Sequence, residues 1–390
     1  MVYPSYIKRI LERIESCGES AYIVGGSLRD MLLGLPPHDY DIATSVPPER
    51  TVKMFSDMHV IETGLKHGTI TVISDGFPVE ITTFRIDGDY TDSRHPDSVS
   101  FTDDITKDLS RRDFTVNAMA YSPDRGLIDP FGGKEDIEAK LLRAVREPAL
   151  RFGEDALRIM RAYRFSAQLG FDIESNTLAA TAECAEGLSH IARERIGSEF
   201  IRLVTSPHPR HSLSLMNQNG IFPYVFEGYA PSEKLISLVE ALPPKDTLRL
   251  ALLLSDTDEE ASRRLLRELR CSGKQITGVL ATLRGAKKAT ETETDARRLI
   301  AVTGAYAADA ARLSVALGIS PIGAAELTEK QMNTPCNLHD LKINGKDLAL
   351  MGFKGKAIGM TLSALLSRVI DDPTLNERDI LLNIAENIKL

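Results

Sequence analysis

The chain has 390 residues, 43% of them apolar and 26% charged, with a formal net charge of −8. That length accommodates roughly two to four domains with ample buried core, and no apolar run reads as long enough to span a bilayer. The acidic balance excludes a protein that coats nucleic acid indiscriminately, while leaving room for a local basic face that engages phosphates.

The stretch Tyr6–Ile14 is amphipathic and predicts a first helix, packed under a strand that begins at Ala21. It lacks the basic-then-apolar layout of a secretory signal. Cys17, Cys184, Cys271 and Cys336 are scattered without C-x-x-C spacing. They suggest neither a zinc site nor a disulfide framework, and the expected compartment is the reducing cytoplasm.

Residues 21–44 organise the rest. Ala21–Val24 reads as a short buried strand, Gly25-Gly26 as a tight turn, and SLRDMLLG as a helix whose early N–H groups face an anion. Pro36-Pro37 interrupts, and HDYDIAT resumes as a strand that puts Asp39 and Asp41 on one face. A Gly-Gly alone is a turn and a D-x-D alone a solvated edge. In this order they make a seat for a divalent metal and a triphosphate. Neither the calcium-loop register nor the G-x-G-x-x-G fingerprint is present.

Further on, a turn at 45–49 leads to a helix near Arg50, and 62–85 reads as a strand, an Asp75-Gly76 hairpin turn and a second strand. In that second strand Val79, Ile81 and Thr83 share one face, and Glu80 lies on the other. Glu80 reads equally as a third carboxylate or as a surface residue on an edge strand. Residues 87–104 are polar and read as a loop. In DLSRRDFTVNAMAY, Arg112 offers a fork of donors to triphosphate or sugar oxygens. Asp113 reads as a helix N-cap, a buttress for Arg112 or a ribose contact. A short strand, a glycine turn and a helix follow to about residue 145.

Residues 147–171 predict a helix on which Asp155 and Arg158, three apart, are neighbours. Arg161 falls about 60° further round and Arg164 nearly opposite Asp155. The helix at 191–204 reads as a brace for it through Arg193, Glu194 and Arg195. SPHPRHS (206–212) is a linker-like break, and helical patterns recur at 232–244, 246–256 and 258–271. Arg263, Arg264, Arg267 and Arg270, with Lys287 and Lys288 beyond, read equally as a phosphate-tracking face or as a solvated helix face. Near the C-terminus Lys346, Lys354 and Lys356 alternate with Gly345, Gly352 and Gly355.

The string GGxxRDxxLGxxxxDxD, the R-R-D-F-T-x-N-A pattern at 111–118 and the E-D-x-x-R-x-x-R-x-x-R element from Glu154 resemble the polymerase-β-type nucleotidyltransferases. In detail they are similar to bacterial class II CCA-adding enzymes and their poly(A) polymerase relatives, across about residues 21–204. The resemblance implies an α+β fold: a small mixed sheet with helices in a catalytic head (1–142), then an all-α neck (143–205), body (206–320) and tail (321–390). It implies that Asp39 and Asp41 hold Mg²⁺, with Glu80 as third acid. It further implies that Gly25, Gly26, Arg29, Arg112, Asp113 and Asn117 bind the nucleotide. Asp155 and Arg158 would read the base, and Arg161 and Arg164 would meet phosphates or lock the helix to the head. Loop 87–104 is similar to a flexible loop whose Arg94 reaches the site during adenosine addition, and the C-terminal stretch to a tail that grips the tRNA elbow.

The chemistry of a protein template is consistent with this. An Arg beside an Asp matches the ring acceptor and exocyclic amine of cytosine and adenine. Guanine and uracil reverse that pattern, leaving buried groups unpaired at roughly 1–3 kcal/mol each. The expected activity is addition or repair of the 3′ CCA of tRNA from CTP and ATP. An A-adding enzyme or a poly(A) polymerase shares the same catalytic half. A non-catalytic tRNA-binding protein would have lost the D-x-D or R-R-D-F residues, and a small-molecule nucleotidyltransferase leaves the C-terminal stretch unexplained.

Overall fold

The computed structural model describes residues 1–88 and 99–388. The chain forms two compact units, Met1–Tyr229 and Ala230–Leu390.

In the first unit, helix α1 (Ser5–Glu15) buries Ile7, Ile10, Leu11 and Ile14, the spacing of one helical face. Strand β1 (Ala21–Val24) is wholly buried and runs into α2 (Gly25–Leu32). Then come β2 (Asp41–Thr44), α3 (Pro48–Met54), β3 (His59–Ile61), β4 (Thr69–Ser74) and β5 (Phe77–Thr83). Asp75 and Gly76, both at positive φ, make the β4–β5 turn that right-twisted hairpins favour. After β6 (Arg85–Asp87) and β7 (Val99–Phe101) the chain forms α4 (Ile105–Ser110), β8 (Ala120–Ser122), β9 (Gly126–Ile128) and α5 (Gly133–Glu138). One seven-stranded mixed sheet results, in the order β3-β4-β5-β2-β1-β8-β9. Its β2–β5 pair is parallel and its other pairs antiparallel. Tyr22, Val24, Ala43, Phe84, Leu109 and Val145 pack one core against it.

Three local expectations are corrected. The second strand starts at Asp41, not His38, because Asp41 pairs with Val24, the last residue of β1 before Gly25 turns away, which leaves Asp39 without a partner strand. The helix begins on Gly25 itself, with the Ser27 hydroxyl donating to the Val24 carbonyl. The stretch read as loop 87–104 is flanked by an antiparallel ribbon, β6 with β7, and its end forms the cap of α4, where Asp104 accepts from the Thr106 N–H. Arg94 lies outside the described residues.

Residues 147–171 form two helices, not one. Helix α6 (Pro148–Glu154) ends where Asp155 adopts an extended backbone, φ −144° and ψ 102°, and α7 (Leu157–Leu169) follows. The Asp155 carboxylate accepts the Leu157 N–H, the competition with helix continuation typical of Asp at helix starts. Helix α8 (Ser175–Glu183) and α9 (Arg193–Val204) complete this part, and α9 packs on α7. The break at 206–212 is brief. Helix α10 (Pro209–Gln218) begins at Pro209 and packs on α7, its Ser212 bonded to Ser166 at 3.0 Å, so compactness continues to Tyr229.

The second unit is helical, with one core around Leu299, Ala310, Ala324 and Cys336 and another around Leu341, Phe353, Leu365 and Leu381. By length and composition alone, Glu293–Ala316 is long and apolar enough to cross a membrane, contrary to the sequence reading. Half of it is buried inside the unit, it is interrupted at Gly304, and its Arg297 is buried with hydrogen bonds to the Ile370 carbonyl and Gln331. These features are those of core helices.

Candidate active site

The first unit contains a cleft of about 1030 Å³ at the C-terminal end of β1. Its floor follows from sheet register. Asp41 sits opposite Val24 on one side and beside Glu80 on the other, because β2 lies between β1 and β5. Glu80 is therefore on an interior strand, not the edge strand of the alternative reading. Asp39 occupies the bend before β2, exposed, and lines the same cleft, so the bend and not strand alternation brings the pair together.

Burial drives the Asp41 carboxyl up to about 6, the Arg112 guanidinium opposes this, and the Asp39 and Glu80 charges reinforce it. Such crowded carboxylates suit a hard, oxygen-seeking divalent ion. Among the described residues, however, no three His, Cys, Asp or Glu side chains converge closely enough to cage a metal by themselves.

Gly25 explains the glycine turn. Its φ is +70°, and a Cβ there would lie 3.1 Å from Arg112 Nη1 and 3.3 Å from Asp41 Oδ2. Gly26 is less confined, its nearest neighbour being Arg29 Nη2 at 3.4 Å.

The arginines divide into those that keep donors for a ligand and those already engaged. Arg112 bonds Asp108 at 3.4 Å and its buried Nε has no partner. Asp108 is itself buried. It accepts from the Arg85 N–H, from Arg111 Nε at 3.0 Å and Nη2 at 2.8 Å, and from Arg112, so it aligns the arginine pair. Arg29 is 4% exposed and donates to Asp30 at 2.7 and 2.9 Å and to Asn117 Oδ1 at 2.8 Å. It is a strut from α2, not a free cation. Asn117 in turn donates to Asp113 Oδ1 at 3.2 Å.

Asp113 caps no helix. Its Oδ2 accepts from Arg161 Nε at 2.8 Å and Nη2 at 2.5 Å, which ties the sheet domain to α7. Burial pushes its carboxyl up, but the Arg161 ion pair and the Asn117 hydrogen bond outweigh that and bring it down to about 2. Arg164 is buried against Glu199 of α9 at 2.5 Å and Gln168 at 2.9 Å. Its guanidinium lies 3.8 Å from the Phe165 ring centre, with Arg161 at 5.2 Å and Arg29 at 5.3 Å. Arg161 thus ties α7 to the head, whereas the hydrogen bonds of Arg164 run to α9 and within α7.

Asp155, in the break between α6 and α7, and Arg158, on the first turn of α7, line the same cleft. Asp155 Oδ2 accepts from Arg195 Nη2 at 3.1 Å. Arg158 is held by Glu154 Oε2 at 2.5 Å, the Arg151 carbonyl at 2.9 Å and the Arg111 carbonyl at 3.1 Å. Arg195, read from sequence only as a brace, lines the cleft with a buried, unpartnered Nη1. Asp108 and Phe165 were passed over as well. The Asp108-x-x-Arg111-Arg112 spacing was the available signal for the first, whereas Phe165 looked like any core aromatic.

A cleft with acids on its floor and Asp155 and Arg158 in its wall can be set beside what known proteins of similar sequence are. Three family models match in chain order: Poly A polymerase head domain over 21–143, probable RNA and SrmB-binding site of polymerase A over 170–232, and putative tRNA nucleotidyltransferase domain 2 over 244–385. The CCA-adding enzyme of Lactiplantibacillus plantarum is 37% identical over 98% of this chain and 95% of its own length. That of Geobacillus kaustophilus is 35% identical over 95% and 93%. The crystal structure of the Bacillus stearothermophilus CCA-adding enzyme in complex with CTP superposes with a TM-score of 0.85 at 32% identity, covering 100% of this chain and 98% of that one. With a polymerase head, a helical remainder and end-to-end likeness to such relatives, the chain belongs to the CCA-adding enzyme family, the template-independent nucleotidyltransferases.

Proposed function

We propose that this protein builds or repairs the 3′-terminal CCA of tRNA from CTP and ATP in the cytoplasm. The observation that carries the reading is the convergence, in one cleft, of Asp41 beside Glu80, the close-approach backbone of Gly25, the partly unpaired Arg112, and the Asp155/Arg158 pair.

Each part has a task. The Gly25–Gly26 backbone and Arg112 take the triphosphate, a role the fork of a guanidinium suits. Asp108 keeps Arg112 and Arg111 aligned. Asp155 and Arg158 present an acceptor and donors to the Watson–Crick edge of the base, which cytosine and adenine satisfy and guanine and uracil do not. Asp39 and Asp41, with Glu80 alongside, would hold divalent metal, and we propose Mg²⁺. That ion supplies activation of the RNA 3′-hydroxyl and neutralisation of the leaving pyrophosphate when bound. Asp113, Arg161, Arg29 and Arg164, which also line the cleft, hold its wall in register.

The test is incubation with tRNA lacking CCA, or ending in C or CC, and each labelled nucleotide. Three additions followed by arrest are expected. ATP addition to CC ends alone would indicate an A-adding enzyme, and long tails a poly(A) polymerase.

A further inference from the structure

Asp39 lacks the supports that fix the other acids of the cleft floor. Asp41 and Glu80 are held by the pairing of β2 with β1 and β5, whereas Asp39 precedes the first paired residue. Among the described residues, no hydrogen bond or ion pair holds its carboxylate. The segment that carries it is sparsely attached. The Leu35 N–H donates to the Asp30 carbonyl at 2.9 Å, but from Gly34 to Asp39 no side chain is buried.

The next residue, Tyr40, is only 7% exposed. Asp39 and Asp41 line the cleft, and Tyr40 between them does not. Its ring turns onto α1 instead, where it meets Tyr6 edge to face, the ring centres 6.2 Å apart and the planes at 89°. Tyr6 is fixed in turn by the β4–β5 hairpin. Phe77, the first residue of β5, stacks on it at 4.9 Å, and its carbonyl accepts from the Ser74 hydroxyl at 3.4 Å. Arg9, one turn further along α1, pairs with Asp75 in the hairpin turn. The row Tyr40–Tyr6–Phe77 therefore fastens the bend to the strand that carries Glu80. Among the described residues the Tyr40 hydroxyl has no hydrogen-bond partner, so the ring makes the attachment.

We infer that Tyr40 is a positioning residue for the acidic pair: seated on Tyr6, its ring keys the bend so that the Asp39 carboxylate faces the cleft beside that of Asp41. The inference rests on the reading that this pair holds a divalent ion. Removing a residue that orients a metal ligand from behind typically costs about ten- to a hundredfold in metal affinity or activity.

The test compares the full chain carrying Y40A, Y40F or Y6A with wild type. Mn²⁺ binding is followed by electron paramagnetic resonance, and nucleotide addition to tRNA by steady-state kinetics. Y40A is expected to weaken Mn²⁺ binding by about tenfold or more and to lower kcat by a similar factor, with KM for tRNA and CTP within about threefold of wild type. Y40F keeps the ring and should match wild type in both. Y6A removes only the support, at a half-buried site. It should show a smaller loss of the same kind, and Y6A/Y40A should be no worse than Y40A. Wild-type Mn²⁺ affinity in Y40A and Y6A, a Y40F as impaired as Y40A, or a raised KM for tRNA in place of the kcat loss would overturn the inference. Should Y40A fail to fold, wild-type Mn²⁺ affinity in Y6A alone would do so. A wild type that binds Mn²⁺ more tightly than Y40A yet adds no nucleotide would instead refute the proposed function and leave the role of Tyr40 standing.

Discussion

Because burial, Asp39 and Glu80 hold the Asp41 carboxyl up at about 6 despite Arg112, ionising it in the folded chain opposes folding at neutral pH. Its folded value lies above the unfolded one near 4, so the penalty is full above pH 6 and vanishes below about pH 4. Asp41→Asn should therefore stabilise the metal-free protein by about 1–3 kcal/mol at pH 7.5, read as a raised denaturation midpoint. The gain should fade between pH 6 and pH 4. The same change should abolish nucleotide transfer while tRNA affinity holds; substantial residual turnover would remove Asp41 from the reaction. Asp113 has the opposite sign. Its carboxyl sits at about 2, so its stabilisation is present above about pH 4 and is lost as pH falls through 2. Asp113→Ala leaves the half-buried Arg161 without its partner and should cost about 1–3 kcal/mol at pH 7, the gap to wild type narrowing in acid.

At the scale of elements, the turn after β1 is the most constrained. Gly25→Ala places a methyl group against Arg112 and Asp41 on backbone at +70°. KM for CTP and ATP should rise at least tenfold, while circular dichroism reports an intact fold. Arg158→Ala should relax the choice among the four nucleotides, and an unchanged CTP and ATP preference would take that residue out of base selection. The strand–glycine–helix–acid order was legible because each piece has a local signature: an apolar run, a Gly pair, a D-x-D. So was the Asp75-Gly76 hairpin. The break at Asp155 was not, since Glu154 and Arg158 fit a continuous 3.6-residue period and only the contacts of Asp155 with the Leu157 N–H and Arg195 favour the extended conformation. The β6–β7 ribbon escaped for a related reason. Three-residue strands separated by a polar stretch carry too little alternation to stand out.

At the scale of the molecule, the sequence separated a mixed sheet from the helices that follow, but not where one compact unit yields to the next. A proline-rich break at 206–212 looks like a boundary, whereas α10 packs back onto α7 and continues the first unit. Long-range packing, absent from any local window, decides that. A whole-protein measurement also tests the metal assignment. Mg²⁺ at about 100 times its dissociation constant should stabilise the wild type by about 2.7 kcal/mol, and Asp41→Ala far less. Chelation should halt transfer without releasing tRNA.

The interruption between α6 and α7 has a further consequence. The acidic half of the proposed base-reading edge is moored to α9 through Arg195, and the basic half to Glu154 and the Arg111 carbonyl. The two moorings thus rest on separate supports, so the carboxylate and the guanidinium are held by different neighbours although their residues stand three apart. If this pair reads the base, a change at Arg195 would disturb its acidic member and a change at Glu154 its basic one, each without touching the other.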